Sequence, residues 1–301
     1  MSANSGRSGA VVRFAPPPWA AGQGRARHWL WPAVLFATAV LALQIDMPLA
    51  QRCLKQEYPR IVRQLLDTIE PFGNGLGVAL IMLAVWVNGR ELRAQIPRVL
   101  SIAFGAGLVV DCLKLVVSRT RPHSFDFRTG GALSTFGGWF DLATTDSHLQ
   151  SFPSGHAATA VGFAVGLSWL FPRGWWLFAA LATCACAQRV QVAAHYLSDV
   201  LAAAAVGWLV ALAFFRLPSL ARYFDRLEER LAAEWNSPHD ATSALSNVPP
   251  AEGSEAVRAS HASLVTHVPN ASHAPHAAPA THAARTPRAT QHRQTRPADA
   301  R

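Results

Sequence analysis

The chain has 301 residues, half of them hydrophobic, with 15% charged residues and a formal net charge of +9 at pH 7. That length suggests one or two domains, but the averages mislead, because a polar tail dilutes a very apolar middle. The basic excess is spread over helix ends and tail without a nucleic-acid-binding motif, and Cys53, Cys112, Cys184 and Cys186 have neither metal-site nor disulfide-framework spacing. A nucleic-acid partner and a disulfide scaffold are therefore set aside, and the cysteines read as small buried hydrophobes.

Residues 1–27 form a Gly, Pro and Arg-rich arm. Apolar runs follow at 29–43, 72–87, 99–117, 157–171, 174–187 and 197–215. Some are shorter than the roughly 20 residues that a bilayer core requires. Six nearly charge-free runs in one domain nevertheless point to an all-α bundle of six transmembrane helices over residues 28–235. The first run follows basic residues like a signal-peptide core, but no A-x-A-like site follows it, so it is read as an uncleaved anchor. Gln44-Ile45-Asp46-Met47-Pro48 reads as its helix exit.

Between the first two runs, Ile61, Val62, Leu65, Leu66 and Ile69 recur at helical spacing opposite Arg60, Arg63, Gln64 and Asp67. This amphipathic segment fits either the outer membrane interface or packing over the bundle. Residues 123–152 form a long aromatic and Gly-containing loop that could be a lid, a lipid-facing rim or a packed connection. From residue 236 to 301 the chain is Ala, Pro, Ser, Thr, His and Arg-rich, a composition that cannot bury enough apolar surface to order itself.

Arg90, Arg93 and Arg98 follow the second run, Arg173 follows the fourth, and Arg216, Arg222, Arg226 and Arg230 follow the sixth. With Arg7, Arg13, Arg25 and Arg27 at the start, this distribution puts both termini on the cytoplasmic side of an inner membrane. The opposite ends of the runs then share the outer face, and the chemistry gathers there.

Lys114 and Arg121 are seven residues apart; one helix would point both the same way, with Pro122 ending it. Asp111 is placed to hold Lys114, since a charge at such depth usually pairs or serves a site. Pro153 suits a helix start, which would leave the N–H groups of Ser154 and Gly155 as an anion cradle with His156 at its mouth. His195 and Asp199 are one helical turn apart, so the carboxylate could accept the Nδ1 proton and leave Nε2 a free lone pair. Arg189 is near enough in sequence to offer a bidentate guanidinium to phosphate oxygens.

In these residues, KLVVSRTRP (114–122), PSGH (153–156) and QRVQVAAHYLSD (188–199), the chain resembles the type 2 phosphatidic-acid phosphatase and vanadium haloperoxidase superfamily. Gln188 departs from the family pattern, which has serine there. The resemblance implies an acid-phosphatase/haloperoxidase-like helical core and a mechanism that needs no metal and no cofactor. Lys114, Arg121, Ser154, Gly155 and Arg189 would bind phosphate, His195 oriented by Asp199 would attack phosphorus, and His156 would protonate the leaving group. The implied substrate is a membrane lipid phosphate or diphosphate. A phosphotransferase using the same phosphohistidine, or a non-catalytic lipid-head-group binder, are the competing readings.

Overall fold

The computed structural model describes residues 27–128, 130–139 and 146–236. The arm expected before Arg27, the tail expected beyond Asn236 and the centre of the 123–152 loop, including Phe140, lie outside the described residues.

Each of the six apolar runs is a helix: α1 (Arg27–Ala42), α4 (Gly75–Asn88), α5 (Ile96–Lys114), α6 (Gly155–Leu170), α7 (Trp175–Gln191) and α8 (Leu197–Arg216). Between α1 and α4 lie α2 (Asp46–Leu54), α3 (Arg60–Ile69) and a 3-10 turn, Glu70–Gly73; α9 (Pro218–Asn236) follows α8. Among the described residues two stretches, Arg90–Lys114 and Leu197–Arg216, are long and apolar enough to cross a membrane. The total rises to four if each bent pair is one span: α1 with α2, bent by 75°, and Arg60–Gly73 with α4, bent by 72°.

The shortfall from six has a physical origin in the centre of the bundle. α6 has only 16 residues and is buried along most of its length among α5, α7 and α8. Its glycines and alanines allow these neighbours to come close, as small residues do at tightly packed helix contacts. A methyl group at Gly207 of α8 would stand 2.3 Å from the Ala158 carbonyl oxygen of α6. Apolar side chains of the outer helices stay exposed instead, among them Leu30, Phe36 and Leu41 of α1 and Leu76, Leu80 and Leu83 of α4.

The fold departs from a purely helical one between α5 and α6. There β1 (Val117–Arg119) pairs antiparallel with β2 (Phe136–Trp139), Val117 opposite Trp139 and Arg119 opposite Phe136. A single helix through Lys114 and Arg121 is therefore not formed: α5 stops at Lys114 and Arg121 is extended, at φ −69° and ψ 151°. Pro122 disfavours helical backbone at the residue before it, and the β-branched Val116 and Val117 suit the strand that intervenes.

Two smaller expectations also change. Asp46 begins α2 rather than leaving α1, consistent with a proline in the first turn at Pro48. Of the cysteines only Cys53 is buried; Cys112 is exposed, and Cys184 and Cys186 are half-buried.

Candidate active site

The C-terminal end of α5, the N-terminal end of α6, the loop from α7 to α8 and the N-terminal end of α8 all supply polar residues to one region. His195 lies in the α7–α8 loop, outside either helix. The Arg189 carbonyl accepts from the N–H groups of both Ala194 and His195 at 3.2 Å, which folds the loop back onto the end of α7. Ala193 makes that turn in the left-handed region, at φ 52°.

This loop changes the expected partner of His195. Spacing of one helical turn predicts a bond to Asp199, but that holds only where both residues are in one helix, and α8 begins at Leu197. Instead His195 Nδ1 donates to the Ser151 carbonyl oxygen at 2.7 Å. A carbonyl only accepts, so the bond still fixes the proton on Nδ1 and leaves Nε2 as a lone pair. Asp199 reaches this arrangement only at second hand: its Oδ2 accepts from Ser151 Oγ at 2.6 Å and from the Tyr196 N–H at 2.9 Å.

The main partner of Asp199 is Arg119, a residue to which the motif reading assigns no role. Its guanidinium is fully buried and donates through Nη1 to Asp199 Oδ1 and to Ser198 Oγ, the latter at 2.7 Å. Nη2 donates to Asp46 Oδ2 at 2.8 Å and Nε to Thr135 Oγ1 at 2.9 Å. The rings of Phe136 and Tyr196 lie 4.4 and 4.1 Å from its central carbon. Two buried carboxylates, hydrogen bonds and two aromatic faces thus satisfy one buried cation. The Arg119 carbonyl also accepts from the Ser151 N–H at 2.9 Å, so the same residue holds the segment that orients His195.

Burial, then Arg121, Lys114 and Arg189, push the pKa of His195 down to about 3 from 6.5, against the opposing pull of the Ser151 carbonyl. A neutral imidazole with Nε2 free, facing three cations, is suited to attack on an anionic electrophile. Lys114 Nζ pairs with Asp111 Oδ1 at 3.0 Å, and a methyl added to Gly155 would lie 3.6 Å from Nζ. The Arg121 backbone is anchored by its N–H on the His148 carbonyl at 2.8 Å.

Ser154 caps α6 without a side-chain capping bond, and its N–H donates at 3.4 Å to the Asp199 carbonyl. The expected pair of free N–H groups is thereby reduced, leaving Gly155 as the first residue at the positive end of the helix. Ser154 Oγ and Arg121 Nε are buried with no hydrogen-bond partner among the described residues. A phosphate oxygen is the kind of acceptor that would satisfy both.

His156 and Arg189 converge on Glu70, which the motif reading also passes over. Glu70 Oε1 is 3.0 Å from His156 Nε2 and 3.6 Å from Arg189 Nη2. Glu70 directly follows the amphipathic run, but nothing in its local spacing couples it to a motif more than 80 residues away.

A family model described as the PAP2 superfamily matches residues 97–223, the interval that holds all these motifs. The chain is 30% identical over 200 residues to the lipid A 1-phosphatase of Rhizobium etli, a match covering 59% of this chain and 80% of that protein. It is likewise 30% identical over 213 residues to the lipid A 1-phosphatase of Rhizobium johnstonii, covering 62% of this chain and 82% of that protein. The chain belongs to the PAP2 superfamily.

Gln188, the one departure of this PAP2 chain from the motif pattern, has a definite place. Its Nε2 donates to Asp67 Oδ1 of α3 at 2.9 Å, while its Oε1 accepts from Arg189 Nε at 2.7 Å. A longer amide side chain thus ties α3 to the arginine, and the apolar face of α3, with Ile61 and Leu65, remains exposed.

Proposed function

We propose that this protein is an integral membrane phosphatase that hydrolyses a lipid phosphate monoester or diphosphate through a phosphohistidine. The observation that carries the reading is the neutral His195, facing Arg121, Lys114 and Arg189 beside the unpartnered Ser154 Oγ and Arg121 Nε. In this mechanism Nε2 of His195 attacks phosphorus and the bond to the leaving oxygen breaks. His156 gives that oxygen a proton. Water then attacks the phosphohistidine, releasing inorganic phosphate and freeing Nε2. Lys114, Arg121, Arg189, Ser154 and the Gly155 N–H hold the phosphoryl oxygens and stabilise the charge they carry in the transition state. Those cations supply the neutralisation that a metal would otherwise provide, so turnover proceeds without metal.

All six apolar helices cross the membrane in this reading, the short α6 sheltered by its neighbours and the exposed apolar side chains of α1, α4 and α7 facing lipid. The site then opens on the periplasmic side, both termini are cytoplasmic, and residues 1–27 and 236–301 flank the membrane domain as arm and tail. A phosphatase reporter fused after residue 235 should be silent and one fused near residue 145 active; the reverse would overturn the orientation.

The names of the two relatives make lipid A the first substrate to try. The deciding experiment measures phosphate release by purified protein from lipid A, phosphatidic acid, phosphatidylglycerol phosphate and undecaprenyl diphosphate, with and without excess EDTA. Release from at least one lipid in EDTA, blocked by vanadate, is expected. Release from none, or activity that returns only with added magnesium, would overturn the proposal.

A further inference from the structure

Glu70 stands outside every motif, yet its carboxylate contacts two motif residues, and the backbone leaves it little freedom to be elsewhere. α3 is tied to the end of α7 by the Asp67–Gln188–Arg189 hydrogen bonds. The Glu70–Gly73 turn that follows is pressed on the start of α6: a methyl at Gly73 would stand 2.7 Å from the His156 carbonyl oxygen and 3.3 Å from Ala160 Cβ. Only glycine permits that approach. The carboxylate is thus presented to His156 by packing, with Oε1 at 3.0 Å from Nε2.

A general acid must carry its proton when the leaving group departs. The charged groups acting on His156 are Arg189 from α7, Lys114 from α5 and Glu70 from the turn. Burial first, then both cations, oppose a protonated imidazole; Glu70 favours it, through its charge and through its hydrogen bond. We propose that Glu70 is a positioning residue that favours the protonated form of His156 and aims it for proton delivery, an inference that rests on the phosphatase reading of the site. The Nε2–H donates to Glu70, and the proton on Nδ1 is the one passed to the leaving oxygen. His156 is then neutral, still bonded to Glu70, and takes a proton back from the water that attacks the phosphohistidine. The fourfold placement of Asp67, Gln188, Glu70 and Gly73 gives the segment before α4 a catalytic reason for its position.

The test is Glu70→Gln, which keeps the shape and removes the charge. The kcat–pH profile is measured on the best lipid phosphate and on p-nitrophenyl phosphate, whose leaving group needs no proton. The alkaline limb for the lipid should move down by about one pH unit, with about a tenfold loss of kcat at pH 8 and little change in KM. Turnover of p-nitrophenyl phosphate should fall less than twofold. Equal losses on both substrates at every pH would reduce Glu70 to a structural role. A rise in kcat would make it an internal competitor of phosphate. Either result overturns the inference, as does an unchanged profile. Absence of turnover by the unmutated protein would instead sink the phosphatase reading. In that event 15N-histidine NMR still decides: the His156 titration midpoint should fall in Glu70→Gln, and an unchanged midpoint overturns the inference.

Discussion

Two buried arginines stand just beyond or near opposite ends of α5, and they are built differently. Arg119, after its C-terminal end, meets Asp46 and Asp199, both as buried as itself, and lies between Phe136 and Tyr196. Arg98, in its first turn, meets Asp225 at 2.6 Å and Glu228 at 2.7 Å and lies near the rings of Trp169, Phe215 and Phe224. Asp225 is 59% exposed in its side chain, and both acids belong to α9. The first cluster is sealed and holds the segment that orients His195. The second is half open to solvent and fastens one amphipathic helix. The same residue type therefore serves site construction where no water can replace a lost partner, and attachment where water can.

The largest effect is expected at His195, the proposed nucleophile. His195→Ala should lower turnover by about 10⁴-fold or more, and acid-quench trapping should find no phosphohistidine, while thermal unfolding in detergent stays close to that of the unmutated protein. Trapped phosphohistidine in this variant would show that the roles are misassigned. Substitutions at Arg98 should leave kcat within about threefold, since its partners all lie at the other end of α5.

Stability should separate the two arginines next. Arg119→Met leaves Asp46 and Asp199 buried without a cation and should cost about 3–5 kcal/mol. Arg98→Met should cost about 1–2 kcal/mol, because exposed Asp225 can turn to water and Glu228 can take up a proton. Denaturant or thermal titration of both variants in one detergent checks this; equal losses would erase the distinction. Asp199→Asn should likewise behave as a loss of stability through Arg119 more than as a loss of a direct His195 contact.

The smallest effects concern pH, and they have opposite signs. His195 is depressed to about 3 from 6.5, so its contribution to stability is present above pH 6.5 and is lost as the pH falls toward 3. Its protonation should not set the acid limb of turnover near neutral pH. Burial pushes Glu228 up to about 7 from 4.5, outweighing the pull of Arg98. Its contribution is present below pH 4.5 and lost as the pH rises through 7. Glu228→Gln should therefore flatten the stability profile between about pH 4.5 and 7 and leave the acid side unchanged.

The sequence made the apolar helices legible, because hydrophobic runs are local properties of the chain, although α5 ends at Lys114 and not at Pro122. It also brought Lys114, Ser154, Arg189 and His195 toward one face, since alternating helices put every second end together. Apart from the local Lys114–Asp111 pair, packing between elements settled which polar groups of the site bond to one another. Helical spacing predicted His195 with Asp199, but the chain leaves the helix at Gln191 and re-enters at Leu197, so Ser151 takes the imidazole and Arg119 takes the carboxylate. Arg119 with Asp46, Glu70 with His156 and Arg98 with Glu228 join elements far apart in sequence. Such pairs form because a charge withdrawn wholly or partly from water is best met by an opposite charge wherever packing presents one, and no spacing within a single helix encodes that.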